Sequence, residues 1–461
     1  MDTPGPLSAI ATLAAARSRW HVIGLDGARL WQRIDAHCDR WRSHRPHQVL
    51  LNTADPIEAI AGVVAALSVP TQLWLASPTW GDREWQQFAA QCPTVDAVIG
   101  NSPPMSLPPT DAARPGCDRS RLRIPTGGSS GDLRFACHTW ETLSTAVAGF
   151  QRHFQTATVN AYCVLPLYHV SGLMPALRSL IVGGTLTVQS FRDLMMNGPL
   201  AAAPAGGFLS LVPTQLQRLL DRDPPLTPWL QRFDAILLGG APAWPSLLAR
   251  SRAAALPLAP TYGMTETAAQ VATLLPAEFL AGRSDSGRPL PHVRLTICDP
   301  QGQAVAPGTV GQIAIASPAL AVNLQPKSEA AWQPGDLGWL DAAGYLHVVG
   351  RHNQLIITGG EKVHPPEVEA ALMATGQVSD AVVLGLPDEA WGERVVAVVA
   401  PVLTPDAIAT LRAELRSQLS PHKIPKVWLS RPSLPRNAQG KLNRAALRQW
   451  VMAQPTAAAS P

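Results

Sequence analysis

Hydrophobic positions along the chain follow two spacings. Short unbroken apolar runs, such as Tyr162 to Pro166, Ala235 to Leu238 and Leu295 to Cys298, read as buried strands separated by stretches of helical periodicity. That alternation predicts an α/β fold in which helices cover sheets. Residues 140–154, WETLSTAVAGFQRHF, put Leu143, Val147, Phe150 and Phe154 on one helical face, so a helix is expected directly after the Gly/Ser-rich loop at 126–131. A further helix is expected over 404–420, with Thr404 as N-cap, Pro405 in the first turn and Ile408, Leu411, Leu415 and Leu419 as its apolar stripe. Residues 96–125, rich in Pro, Arg, Asp and Ser, read as an extended surface connection or lid. At Arg351 to Asn353 the strand YLHVVG ends in a polar tripeptide, and a fresh α/β pattern begins. The expected architecture is a large N-terminal domain of helix-covered sheets, 1–352, and a smaller mobile α+β C-terminal domain, 353–461.

Composition narrows the function. The 461 residues carry a net charge of only +4 and no long Lys/Arg run, which gives no footprint for nucleic acid or an anionic membrane. The longest apolar stretch, Ile57 to Pro70, falls short of the roughly 20 residues that span a bilayer. MDTPGPLSAI has neither a basic nor a long apolar leader region, so a cytoplasmic protein is expected. Six widely spaced cysteines without a CxxC pair predict reduced, structural thiols and no cysteine metal site.

The first candidate chemistry is the segment IPTGGSSGDLRF. Thr126, Gly127, Gly128, Ser129, Ser130 and Gly131 offer backbone N–H groups and hydroxyls to phosphate oxygens, and Arg134 adds a permanent cation. The pattern is not GxxxxGK[ST], and taken alone such a loop is more often an ordinary turn. It is followed in order by PLYHVSGL (166–173), LLGGAP (237–242), PTYGMTET (260–267), GDLGWLDAAGYLHVVGR (335–351), IITGGEKVHPPEVEAAL (356–372) and PRNAQGKLNR (435–444). From about residue 120 onward this ordered set resembles the adenylate-forming superfamily of acyl- and aryl-CoA ligases, adenylation domains and luciferases. Residues up to 95 read as a trimmed α/β subdomain with no functional assignment.

The resemblance implies two steps: a carboxylate attacks the α-phosphate of MgATP to give an acyl-adenylate and pyrophosphate, and the thiol of coenzyme A then displaces AMP. It implies that Glu266 holds Mg²⁺ and Thr265 contacts the α-phosphate. Gly239, Gly240 and Ala241, with Tyr262 and Gly263, would form the adenine pocket, while Asp336 would bind the ribose hydroxyls and Arg351 the ribose or phosphate region. Lys441 would bridge the reacting carboxylate and the phosphates, Asn353 would be the hinge, and Gly359, Gly360 and Lys362 would approach the thioester site after the small domain rotates. The phosphate loop departs from the family pattern at Gly127, Leu133 and Arg134, with the cation retained. Only 20 residues follow Lys441, so free CoA rather than a fused carrier domain is the expected acceptor.

Within the superfamily, PLYHVSGLMPALRSL, FLSLVPTQLQRLL and GGSSGDLRFACHTW are most similar to the o-succinylbenzoate–CoA ligases of menaquinone and phylloquinone biosynthesis. Such an acid has one carboxylate to activate and one to hold. Arg178 suits the second task, because a guanidinium pairs bidentately with a carboxylate and keeps its charge; its helix, expected to begin near Leu173, could equally turn it to solvent. Ser210 would be a second substrate contact and His169 would shape the acyl pocket, since an ionised carboxylate needs no base. His138 reads as a structural histidine. A ligase for another aryl or fatty acid, a carrier-protein adenylation domain, and a catalytically weakened nucleotide- or acyl-binding homologue remain alternatives; oligomeric state is open.

Overall fold

The computed structural model describes residues 9–109, 119–127, 133–202, 206–326, 331–436 and 442–454. Two sheets build most of the chain up to residue 290. The larger has eight strands in the order Trp20–Ile23, Gly184–Val188, Asn160–Cys163, Gly207–Leu211, Ala235–Leu238, Leu258–Met264, Ala269–Thr273 and Arg288–Pro289. Its first six strands run parallel, and each of the last two pairs antiparallel with the strand before it. The second has five strands, Ala97–Gly100, Gln48–Asn52, Gln72–Leu75, Arg121–Gly127 and Leu133–His138.

Helices Pro56–Ser68, Trp140–Phe154 and Val170–Val182 contribute to one core with residues of both sheets, in which Ile60, Val64, Leu143, Val147, Leu173 and Leu177 meet Leu51, Leu73, Ile124 and Leu186. This explains why the longest apolar run is not amphipathic: Ala59 to Leu67 are all buried, as a helix enclosed between sheets requires. Asp55 caps it, accepting from the Ile57 N–H at 2.8 Å. Among the described residues, no helix is long and apolar enough to cross a membrane.

Two local expectations are corrected. The helix at 140–154 forms and is capped by Thr139, but it does not follow the Gly/Ser-rich loop directly. The strand Leu133–His138 intervenes and pairs antiparallel with Arg121–Gly127, so the loop joins two strands and does not sit at a helix N-terminus. Phe135, Ala136, Cys137 and His138 of that strand are all buried, a run of four with no alternation and too short to stand out against the adjoining helix. The stretch 96–125 is likewise more ordered than a surface connection: Ala97–Gly100 pairs with Gln48–Asn52, and Arg121 begins a strand next to Gln72. The part at 110–118 lies outside the described residues.

A four-stranded antiparallel sheet, Arg294–Cys298, Gly311–Ala316, Asp336–Leu340 and Leu346–Arg351, follows. The last sheet has five strands: Glu361–Val363, Ile356–Thr358, Gly392–Ala400, Asp380–Asp388 and Val427–Ser430. It is covered by Pro365–Ala374 and Pro405–Gln418, whose Leu372, Leu411 and Leu415 bury against Val383, Val395 and Ala397. Thr404 caps the second of these helices as expected. The chain is therefore a mixed α/β protein with a large body of sheets and helices and a smaller C-terminal one.

Candidate active site

In open parallel sheets ligands bind beyond the carboxyl ends of the strands. Here those ends lead into the segments that hold most candidates: His169 after Asn160–Cys163, Gly239 to Ala241 after Ala235–Leu238, and Thr265 and Glu266 after Leu258–Met264. Leu238 pairs with Pro260, and a Cβ on the next residue, Gly239, would lie 2.8 Å from Thr261 Cγ2, so the Gly239 to Ala241 turn leaves the sheet beside the strand that carries Tyr262. Ala241 is exposed and Tyr262 half-buried, which leaves an open polar backbone next to an aromatic ring.

The turn carrying Glu266 is tightly constrained. Thr265–Thr267 form one 3-10 turn, and Ala268 and Ala269 follow with φ of 52° and 92°, a conformation that side-chain-bearing residues rarely adopt. The chain doubles back so closely that a Cβ on Gly263 would lie 1.9 Å from the Ala269 carbonyl oxygen; only glycine fits there. Thr267 Oγ1 braces the turn through the Met264 and Ala269 carbonyls at 3.1 and 3.0 Å.

Three contacts fix Glu266 and Thr265 from other elements. Thr126 Oγ1 donates to Glu266 Oε1 at 2.8 Å, joining the start of the Gly/Ser-rich segment to this carboxylate across 140 residues of sequence. The Glu266 carbonyl accepts from the Ala321 N–H at 2.8 Å. His138, fully buried, donates Nε2–H to the Thr265 carbonyl at 2.8 Å and meets Thr142 Oγ1 through Nδ1 at 3.1 Å. A carbonyl partner requires the proton on Nε2, which fixes the neutral tautomer. Burial pushes the His138 pKa down to about 4, with the Thr265 hydrogen bond working weakly the other way. The unfolded chain therefore binds this proton more readily, and stability due to His138 is complete above about pH 6.5 and declines as pH falls toward 4. The melting temperature is expected to fall over that window, and less steeply in His138→Gln; equal slopes would contradict it.

Asp336 lies across from this turn. It is buried, accepting from Tyr262 OH at 2.6 Å on Oδ2 and from Arg351 Nε at 3.0 Å on Oδ1. Asp336 and Arg351 are direct register partners, which explains their recurrence at the two ends of GDLG…VVGR. Burial and the Asp336 carboxylate both push the Tyr262 hydroxyl pKa up, so Tyr262 stays a neutral donor. Each carboxylate oxygen keeps a second lone pair for a ligand hydroxyl.

Arg178 is 5% exposed, which settles its orientation: it faces inward from Val170–Val182. Its guanidinium lies 4.1 Å over the Phe150 ring and donates Nη2–H to Gln270 Oε1 at 2.9 Å, while Nε has no partner. Gln270 passes the network on to Thr273 Oγ1 at 2.8 Å. No carboxylate acts on Arg178 among the described residues, and burial alone drives its pKa down to about 9. Gln270 is four residues past Glu266 in sequence, the second residue of the strand Ala269–Thr273 that leaves the turn.

The other candidates are more dispersed. Gly127 ends its strand; Gly128, Ser129, Ser130, Gly131 and Lys441 lie outside the described residues. Arg134, paired in register with Thr126, is exposed. Ser210 is half-buried beside Leu237, and His169 is half-buried at the start of its helix, its ring 4.6 Å from Tyr168. Gly359 and Gly360 turn the hairpin between Ile356–Thr358 and Glu361–Val363 with φ of 58° and 81°. Lys362 and Asn353 are exposed, Asn353 in the turn His352–Gln354 that precedes this hairpin. Sequence reading missed Gln270, a lone polar residue in a buried strand, and Asn323, whose side chain bonds the Cys137 N–H and the Phe135 carbonyl at 2.9 Å each. Nothing in the local sequence signals Asn323.

One carboxylate beside a candidate phosphate loop suits Mg²⁺, which is commonly held by one or two carboxylates plus substrate phosphates. Among the described residues no cluster of three protein ligands competes for that ion. Asp336 replaced by asparagine loses the charge-assisted pair to Arg351, and KM for ATP is expected to rise about tenfold to a hundredfold with KM for the acid little changed. Initial rates at varied ATP check this; an unchanged KM for ATP would remove Asp336 from the nucleotide site.

A family model described as AMP-binding enzyme matches residues 44–322, and one described as AMP-binding enzyme C-terminal domain matches residues 367–441. The chain belongs to the AMP-binding enzyme family. It is 34% identical over 337 residues to the 2-succinylbenzoate–CoA ligase of Geobacillus kaustophilus, covering 71% of this chain and 67% of that protein. It is 35% identical over 345 residues to the 2-succinylbenzoate–CoA ligase of Bacillus velezensis, covering 72% and 69%. The fold matches the o-succinylbenzoate CoA synthetase of Bacillus subtilis, solved in complex with its acyl-adenylate intermediate, with a TM-score of 0.78 at 22% identity over 95% of this chain and 97% of that one. It also matches the ATP-bound MatB of Rhodopseudomonas palustris, with a TM-score of 0.78 at 21% identity over 97% and 99%.

Proposed function

We propose that the protein is an ATP-dependent acid–CoA ligase that converts 2-succinylbenzoate to 2-succinylbenzoyl-CoA through an acyl-adenylate, releasing pyrophosphate and then AMP, in the cytoplasm. The observation that carries the choice of acid is Arg178: a buried guanidinium without a carboxylate partner among the described residues, in a chain whose relatives are named for a dicarboxylic acid. A benzoate seated there would complete the ion pair, leaving the succinyl carboxylate to react.

The chemical obstacle is an anionic nucleophile approaching a polyphosphate, so the rate has to come from donors and cations fixed around it. In this reading the 126–131 loop and Arg134 hold the phosphates and Thr265 donates to the α-phosphate, its position set by His138 behind it. Mg²⁺ bound at Glu266 would offset phosphate charge. Gly239 to Ala241, Tyr262 and Gly263 seat the adenine, and Asp336 with Arg351 the ribose. Lys441 reaches the reacting carboxylate and the phosphates from the small domain, 353–461. Rotation at Asn353 then withdraws Lys441 and brings Gly359, Gly360 and Lys362 to the acyl carbonyl, where the short glycine turn leaves room for the pantetheine arm of CoA. Ser210 and His169 line the acyl side.

The test is CoA-dependent AMP formation with MgATP and 2-succinylbenzoate beside benzoate, a cinnamate and a fatty acid. Selective turnover of 2-succinylbenzoate supports the reading. Selective turnover of another acid would overturn the choice of substrate, and no turnover with any acid would overturn the ligase itself.

A further inference from the structure

His292 is the second unsatisfied group beside Arg178. It lies in PLPHVR, just after the strand Arg288–Pro289, is 9% exposed, and has no partner on either ring nitrogen. Buried polar atoms are almost always hydrogen-bonded, so a buried imidazole with two unmet nitrogens calls for a reason. Its place is built deliberately: a Cβ on Gly149 would lie 1.8 Å from His292 Nδ1, so helix Trp140–Phe154 has a notch that admits the ring. The next residue, Phe150, carries the Arg178 guanidinium on its ring. His292 and Arg178 thus pack against neighbouring positions of one helix, near enough that the Arg178 charge acts on the His292 ring.

The surroundings are short of negative charge. Burial, Arg152 and Arg178 together push the His292 pKa down to about 4, so the ring is neutral at pH 7. His153, on the same helix, is also pushed down by burial and keeps an unpartnered Nε2; Glu278, the carboxylate that acts on it, is engaged with Tyr345 OH and the Leu275 N–H. Arg178 Nε, Arg178's positive charge and a neutral imidazole N–H are together what a carboxylate needs: one cation and two donors.

We infer that His292 is a specificity-determining contact of the acid site, which with Arg178 receives the carboxylate of the substrate that does not react. This rests on the reading of the protein as a ligase for a dicarboxylic acid. A site built to donate hydrogen bonds discriminates strongly against a ligand lacking the acceptor, because its own polar groups are then left unpaired.

The experiment compares 2-succinylbenzoate with 4-oxo-4-phenylbutanoate, which has the same reacting arm and no ring carboxylate. In His292→Phe the ratio of the two KM values is expected to shift against 2-succinylbenzoate by at least about tenfold. His292→Gln, which keeps a donor, should recover most of that ratio. A parallel change for both acids, or none, would overturn the inference in favour of a packing role. Should the phenylalanine variant not fold, ¹⁵N-histidine spectra of the wild-type protein decide: the His292 imidazole signal should move on adding 2-succinylbenzoate and not the monocarboxylate, and an unmoved signal overturns it. Wild-type turnover of another acid but not of 2-succinylbenzoate would overturn the substrate reading and this inference together, whereas wild-type turnover with indifferent variants overturns this inference alone.

Discussion

Replacing Lys441 by alanine is expected to lower acyl-adenylate formation by at least about 10²-fold, the usual consequence of losing a preorganised transition-state donor. Thioester formation from supplied acyl-adenylate should stay near the parent rate. The asymmetry follows from charge. In the first step a carboxylate must approach phosphate oxygens, and a compact ammonium on a flexible stem is suited to bridge them. In the second step the attacked acyl group bears no negative charge and AMP departs as a stabilised anion, so that bridge has no task. The neck of the segment is well anchored: Arg436 bridges to Leu442 and grips Asp380 through two hydrogen bonds of 2.8 and 2.6 Å. Pyrophosphate release and acyl transfer, measured separately, check the prediction. Equal losses in both steps would contradict the assignment of Lys441 to adenylation and with it the proposed rotation at Asn353.

The second large effect is expected at Arg178. Arg178→Ala should weaken apparent binding of 2-succinylbenzoate by roughly 2 to 5 kcal/mol, the range for removing one partner of a buried hydrogen-bonded charge pair, while KM for ATP holds. Arg178→Met separates charge from shape, since it keeps apolar contact with Phe150 and loses the guanidinium; it should be nearly as impaired. Arg178→Lys retains charge without the planar fork and should fall between. An unaltered KM for the acid in Arg178→Met would remove this residue from the substrate site.

Much of the geometry behind the proposed nucleotide site is legible in the sequence because its groups lie in compact segments. YGMTE contains both the glycine that lets the chain double back on Ala269 and the carboxylate that the turn presents. Asp336 and Arg351 are predictable partners because one hairpin carries both. What the sequence hides is contact between distant segments. Thr126 meets Glu266 across 140 residues, and Tyr262 meets Asp336 across 74. Helical periodicity leaves the direction of Arg178 open, since a cation among apolar residues fits a solvent-facing stripe as well as a buried pocket; the ring of Phe150 beneath it appears only when helices 140–154 and 170–182 pack together, and the notch at Gly149 only when His292 packs into it. The strand Leu133–His138 is hidden for a different reason: it has no alternation, only four consecutive buried residues, Phe135 to His138, beside a long helical pattern.

The most direct single measurement is mass-spectrometric: purified protein with MgATP and 2-succinylbenzoate, first without CoA and then with it. The account predicts enzyme-bound 2-succinylbenzoyl-adenylate with stoichiometric pyrophosphate in the first phase, and its conversion to 2-succinylbenzoyl-CoA and AMP in the second. ADP and phosphate as products, or no adenylate with this acid, would contradict it.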